Sequence, residues 1–321
     1  MTDGYGRKID YLRLSITDRC NLRCRYCMPE SLPFIPHQQI LRYEEILRVC
    51  AAAASLGVIR LKVTGGEPLV RKGCAGLIRE LKLLPGIGQV TLTTNGVLLA
   101  RQLPDLLEAG LDAVNVSLDT LDREQYAALT GRDELPQVLA GLRAALDAGL
   151  PLRLNAVPLA SAGLEGLLAL AELAERFPVD VRFIELMPVG HGTELAPFGQ
   201  DRLMAALSAR WPGLAPAPGR RGGGPARYWT APGLRGCIGF ISAVSHGFCE
   251  TCNRVRLTSE GFLKLCLCSG DGVDLRAPLR DGASQEELAG LIQTAVLRKP
   301  AHHTFSRAPA QDPRNMSQIG G

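Results

Sequence analysis

Three cysteines fall within eight residues in the stretch Cys20-Asn21-Leu22-Arg23-Cys24-Arg25-Tyr26-Cys27, at C-x3-C-x2-C spacing. Buried structural cysteines sit in apolar surroundings, whereas these stand among Arg19, Asn21, Arg23 and Arg25 in a polar loop, where the sulfurs can converge on one inorganic centre. Two chemistries suit the spacing. A 4Fe–4S cube held by three thiolates leaves its fourth iron open to a small molecule. A zinc ion would take the same sulfurs plus a fourth ligand from elsewhere or from water. A second set lies far downstream: Cys249-x2-Cys252, then Cys266 after thirteen residues, with Cys268 two positions on. As zinc ligands, Cys249, Cys252, Cys266 and Cys268 would close a structural site; as cluster ligands, Cys249, Cys252 and Cys266 suffice. Cys266 and Cys268 share a strand face by alternation, so both readings stay open. The remaining Cys50, Cys74 and Cys237 read as core thiols. Residues 1–8 carry no export signal, which places the expected compartment in the cytoplasm and makes metal a better use of 10 cysteines than disulfides.

Such residues need a scaffold. Strand patterns at 11–16, 59–63, 90–93, 113–118, 152–157 and 181–186 alternate with helical patterns at 43–56, 73–84, 98–109, 137–148 and 164–177. Strands interleaved with helices predict an α/β fold with a parallel sheet and right-handed crossovers. The unusual residues follow strand ends: the cysteine loop after the first, Thr64-Gly65-Gly66-Glu67-Pro68 after the second, Thr94-Asn95-Gly96 after the third, Ser117-Leu118-Asp119 at the fourth, Met187-Pro188 after the sixth. One working rim at the strand ends is the arrangement of a parallel barrel. The expectation is an incomplete parallel (βα)6 TIM-like barrel over residues 1–210, a Pro/Gly-rich linker or loop at 211–226, and a small C-terminal α+β lobe at 227–321. Hydrophobic content of 46% and charged content of 21% are those of a globular enzyme. No apolar run suggests a membrane span, and a net charge of +4 suits an anionic small molecule better than a nucleic acid.

The cysteine triad with an aromatic before its last member, joined to Gly65-Gly66-Glu67-Pro68, resembles the radical S-adenosylmethionine (SAM) superfamily. Further matches are Arg13-Leu14-Ser15, Thr93-Thr94-Asn95-Gly96, Asn115-Val116-Ser117-Leu118-Asp119, Arg182-Phe183-Ile184-Glu185-Leu186-Met187, Asn253-Arg254-Val255-Arg256 beside the second cysteine set, and the final Gly320-Gly321. Together they resemble the GTP 3',8-cyclase family of molybdenum cofactor biosynthesis, from about residue 4 to the last.

The resemblance implies two 4Fe–4S clusters, one on Cys20, Cys24 and Cys27 that cleaves SAM, the other on Cys249, Cys252 and Cys266 that meets guanine. It implies SAM contacts from Tyr26, Gly66, Ser117 and Met187, and GTP contacts from Arg13, Lys62, Thr93, Arg153, Arg254 and Arg256, with Arg182 as a further phosphate contact. Lys62 stands where the family more often has Arg, and Arg153 where it more often has Lys, a change of fork geometry at constant charge. Arg254, Arg256, Gly320 and Gly321 would act in catalysis, the two glycines reaching into the barrel. The implied partners are GTP, an external electron donor and a downstream cyclic pyranopterin monophosphate synthase, and a homodimer is allowed.

Overall fold

The computed structural model describes residues 1–28, 34–219, 222–305, 312 and 314–320. Its first six strands, β1 (Tyr11–Ser15), β2 (Arg60–Thr64), β3 (Gln89–Thr94), β4 (Ala113–Ser117), β5 (Leu152–Ala156) and β6 (Asp180–Ile184), pair in parallel and in sequence order. Helices α1 (Tyr43–Ser55), α2 (Cys74–Leu83), α3 (Leu99–Glu108), α4 (Arg123–Thr130), α5 (Leu135–Asp147), α6 (Gly163–Ala171) and α7 (Leu173–Arg176) fill the crossovers. The expected helix over 164–177 is thus broken at Glu172, and α4 is an addition that the apolar pattern did not reveal.

Each strand alternates. Leu12 and Leu14, Leu61 and Val63, Val90 and Leu92, Val114 and Val116, Leu152 and Leu154, and Val181 and Phe183 face outward into one core with Ile46, Leu77, Leu81, Leu99, Leu106 and Leu170 of the helices. Complete burial of such a side chain contributes about 1.5–3 kcal/mol, so the outer layer holds the sheet. The inner faces carry Arg13, Lys62, Thr93, Asn115, Ser117, Asn155 and Arg182 and line a cavity. An ordinary parallel barrel fills that space with branched apolar side chains. Here it is left for a polar ligand.

The C-terminal half joins the same sheet. After α8 (Gln200–Arg210) come β7 (Ala215–Pro216), β8 (Arg227–Thr230), β9 (Ile238–Ile241), β10 (Arg254–Leu257), β11 (Phe262–Lys264) and β12 (Gly272–Asp274). The strand order is β12-β11-β10-β1-β2-β3-β4-β5-β6-β9-β8-β7. Both β10, beside β1, and β9, beside β6, run parallel to their neighbours. The segment expected to be a small C-terminal lobe therefore supplies both flanks of the barrel wall, and part of the expected linker, Ala215–Pro216, is an edge strand on β8. Helices α9 (Arg276–Arg280) and α10 (Gln285–Leu297) pack outside, and α11 (Met316–Ile319) brings the tail back to the strand ends. Among the described residues, no helix is long and apolar enough to cross a membrane.

Candidate functional site

The first cysteine loop grows directly out of β1 and is zipped to the loop after β2. The amides of Gly66 and Glu67 donate to the carbonyls of Thr17 (2.7 Å) and Arg19 (2.8 Å). A Cβ on Gly66 would lie 2.5 Å from the Arg19 oxygen and 2.7 Å from that of Asp18, so glycine is required here by the approach of one loop to the other. Glu67 accepts hydrogen bonds from Leu69 N (3.0 Å), Asn95 N (2.6 Å) and Thr94 Oγ1 (2.8 Å). Burial pushes its carboxyl up to about 7 even so. Its bonds lock the ends of β2 and β3 around the cysteines.

Cys20, Cys24 and Cys27 all line the cavity. The Cys20 sulfur accepts from Leu22 N (3.4 Å) and Asn95 Nδ2 (3.7 Å). Burial pushes Cys20 up to about 11, Cys27 up to about 12 and Cys24 well above an ordinary thiol. Binding to a metal would deprotonate them outright. Beside them the Tyr26 hydroxyl donates to Asp119 (2.7 Å), which also accepts from Val157 N (2.7 Å). Burial raises the Asp119 carboxyl to about 6. Gly66, Ser117 and Met187 complete this end of the cavity.

Cys249, Cys252 and Cys266 line the same cavity. Cys268 does not: it is buried in a satellite apolar cluster with Val189, Phe305 and Ile319, and its sulfur accepts from Thr304 N (3.1 Å). The four-thiol reading loses its fourth member. His303 N donates to the Cys249 sulfur (3.3 Å). Burial pushes the Cys252 thiol up, but the charges of Lys299 and Arg254 outweigh it and leave Cys252 below its ordinary value. Among the described residues, no group of three or more His, Cys, Asp or Glu is arranged to hold a single metal ion. A cube places a looser demand, because each thiolate has its own iron. Two cavity-lining triads, each with an amide N–H already on a sulfur, fit such clusters.

Between the triads lies a belt of cations. Arg13 stands in register with Lys62 on β2 and with Arg256 on β10, all three on the inner face, while Arg254 and Arg182 line the wall nearby. Burial, then repulsion from neighbouring guanidinium groups, drives Lys62 and Arg256 well below their ordinary values. Burial brings Arg13 down to about 10. The acids that line the cavity are occupied elsewhere: Glu67 and Asp119 as above, and Glu185 by the amides of Val244 (2.7 Å) and Ser245 (3.0 Å). The belt thus makes a positive field suited to a polyanion.

The structure brings together both triads and Tyr26, Gly66, Thr93, Ser117, Met187, Arg13, Lys62, Arg254 and Arg256. Arg153 stands apart from the cavity lining. It stands on β5 in register with Asn115, 3.7 Å from Asp180, and its charge is among those that depress Lys62. Gly320 packs against the ends of β1 and β2 at φ +88°, where a Cβ would meet Thr64 Oγ1 at 2.6 Å, and its carbonyl accepts from Arg256 Nη1. Gly321 lies outside the described residues. Sequence reasoning missed Asn115, Asn155, Lys299 and His303 as site residues. Asn115 donates to Thr93 Oγ1 (3.3 Å), and Asn155 accepts from Arg182 Nε (2.9 Å). Alternation with Ser117 and Arg153 could have placed both asparagines on the inner face; no local signal placed Lys299 or His303.

The family described as Radical SAM superfamily matches residues 14–173, and the one described as Molybdenum Cofactor Synthesis C matches residues 179–305. The chain is 49% identical to a GTP 3',8-cyclase of Heliobacterium modesticaldum and 47% identical to that of Pelotomaculum thermopropionicum, each over the full length of both chains. A GTP 3',8-cyclase of Moorella thermoacetica is 46% identical, again over both full lengths. Among solved structures, SuiB of Streptococcus suis is similar in fold, with a TM-score of 0.62 at 16% identity over 95% of this chain and 77% of SuiB.

Proposed function

The chain belongs to the GTP 3',8-cyclase family of radical SAM enzymes, and on that premise we propose how its residues divide the work between two ligands. A cluster on Cys20, Cys24 and Cys27, when bound, supplies an open iron and one electron to SAM, whose cleavage gives the 5'-deoxyadenosyl radical that takes hydrogen from C3' of GTP before ring closure at C8. Everything else is positioning by the chain. Tyr26, held by Asp119, flanks SAM together with Gly66, Ser117 and Met187. Arg13, Lys62, Arg254 and Arg256 receive the triphosphate, and Thr93, fixed by Asn115, meets the nucleotide between them. Arg153, in register with Asn115 and acting on Lys62 through its charge, adds a further GTP contact. Cys249, Cys252 and Cys266 would hold a second cluster with an open corner for guanine. Arg256 also carries the Gly320 carbonyl, which joins the tail to the substrate's binding residues and supports a part for Arg254, Arg256, Gly320 and Gly321 in completing the reaction.

The observation that carries this reading is that both cysteine triads and the cation belt line one cavity. Anoxic reconstitution is expected to give about eight irons and about eight sulfides per chain, the content of two cubes. Calorimetry is expected to show GTP binding more tightly than ATP, and replacing Cys249, Cys252 and Cys266 together should halve the iron and weaken GTP. Fewer than two cubes in the intact chain, or GTP affinity unchanged in the triple variant, would overturn the assignment. The same reading calls for a cytoplasmic protein, an external one-electron donor and consumption of the product by cyclic pyranopterin monophosphate synthase, and it allows a homodimer, which would sediment at twice 34.5 kDa.

A further inference from the structure

The N-terminal segment turns back on itself around one buried ion pair. Asp3 Oδ1 accepts from the amides of Tyr5 (2.9 Å) and Arg7 (3.0 Å), and Asp3 Oδ2 from Arg7 Nε (2.6 Å). So fixed, the Arg7 guanidinium reaches two separate stretches of chain. Nη1 donates to the carbonyls of Cys249 (2.8 Å) and Ala301 (2.9 Å), and Nη2 to that of Pro300 (2.7 Å). Both side chains are almost fully buried.

The two stretches meet at a cysteine sulfur. His303, two residues past Ala301, donates its amide to Cys249 Sγ at 3.3 Å. Arg7 therefore holds the carbonyl of Cys249 on one side and the approach to the His303 amide on the other, which sets the geometry of that N–H···S contact. Cys249 opens a short 3-10 turn, Cys249–Thr251, that Cys252 follows, and neither cysteine lies in a strand. The first triad needs no such brace, because its loop is tied to the ends of β1 and β2 and to Leu129 and Thr130. Four of the guanidinium's five N–H donors are used, in directions only its planar fork supplies.

We propose that the Asp3–Arg7 pair is a positioning clamp for the second cysteine triad, holding Cys249 and residues 300–303 in the arrangement that lets a cluster assemble there. The inference rests on the two-cluster reading above. Its test compares Arg7→Met, Arg7→Lys and Asp3→Asn in the full-length chain. After anoxic reconstitution, Arg7→Met should fall from about eight irons to about four, while the paramagnetic resonance signal of the first cluster keeps its response to SAM. Arg7→Lys retains the charge without the fork and should restore iron only partly. Asp3→Asn retains the guanidinium but loosens its anchor and should fall between. In the metal-free protein, amide exchange at 249–253 and 300–303 should quicken roughly tenfold in Arg7→Met, with 20–27 unchanged. Wild-type-like iron and exchange in Arg7→Met would overturn the clamp, and so would equal quickening at 20–27, the mark of a general loss of structure. The wild-type iron count judges the two-cluster reading separately; the exchange contrast judges the clamp without iron.

Discussion

Lys62 shows most plainly what burying several cations together costs. It is 7% exposed and shares the inner face with Arg13, and burial followed by repulsion from Arg182 and Arg13 holds its ammonium well below the ordinary value. Since its folded pKa is depressed, the unfolded chain binds more protons in the window between the two values. The ligand-free protein should therefore gain stability as pH rises through that window. A polyphosphate reverses the sign, because its charge favours the protonated lysine. GTP binding within that window is thus expected to take up protons, measured by calorimetry over a pH series in buffers of different ionisation heat. Lys62→Arg, always charged, should bind GTP without that contribution, and equal proton uptake in the two proteins would refute the assignment. Lys62→Met should raise the thermal midpoint of the ligand-free chain yet weaken GTP by about 1.5–3 kcal/mol, the worth of a charged hydrogen bond. The cations were legible in sequence through the family resemblance, and alternation adds that Arg254 and Arg256 share a face. Distances across the wall were not, and only the fold shows Arg153 in register with Asn115 and 3.7 Å from Asp180.

At the scale of elements, the tail is the part whose position depends most on a few contacts. Its short helix α11 is anchored by Lys264, whose ammonium donates to Asp312 and to the Ser269 carbonyl, with Arg314 on the same carboxylate at 3.1 Å. Burial pushes the Asp312 carboxyl up, but Lys264 and the Arg314 amide outweigh it and hold it below the ordinary carboxylate value. A depressed folded pKa means that the latch is at full strength above the ordinary carboxylate range and is lost as pH falls through the folded value. Removing one partner of a buried pair strands the other, at about 3–5 kcal/mol. Asp312→Asn and Lys264→Met should each expose residues 312–320 to limited proteolysis while SAM cleavage continues. Gly320→Ala tests the tail's last described turn, since at φ +88° a Cβ would sit 2.6 Å from Thr64 Oγ1 and 2.9 Å from Ser15 Cβ. Cyclised nucleotide per 5'-deoxyadenosine should drop on the order of a hundredfold, the effect of displacing a reacting group by about an ångström. Product formed at the wild-type ratio would remove the tail from the reaction. The six alternating units were readable because each is encoded by a local period. The burial of Cys268 under this tail was not, because it depends on Phe305 and Ile319, which are remote in sequence.

For the whole molecule, the same limit governs how the halves join. Composition and a Pro/Gly-rich stretch suggest a cut near residue 210, and the two matched families meet between residues 173 and 179. The sheet has no break at either place. Arg254–Leu257 pairs with β1 and Ile238–Ile241 with β6, so the last third of the chain supplies both neighbours of the six-stranded core. Val255, Leu257, Ile238 and Phe240 are buried in the core that also holds Leu12 and Val181. No local pattern encodes a ladder between residues 11 and 254; it forms only when the whole wall does. A fragment of residues 1–210 would bare the edges of β1 and β6 and the apolar surface beneath them, which invites edge-to-edge association. That fragment is expected to aggregate, or to lack fixed near-ultraviolet dichroism, whereas the full chain should unfold in one cooperative step by both dichroism and calorimetry. If residues 1–210 gave a soluble monomer with its own sharp transition, or if the intact chain melted in two separated steps, the shared wall would not be the unit of stability. The single cavity between the two cysteine triads would then have to be maintained by docking of halves that fold independently.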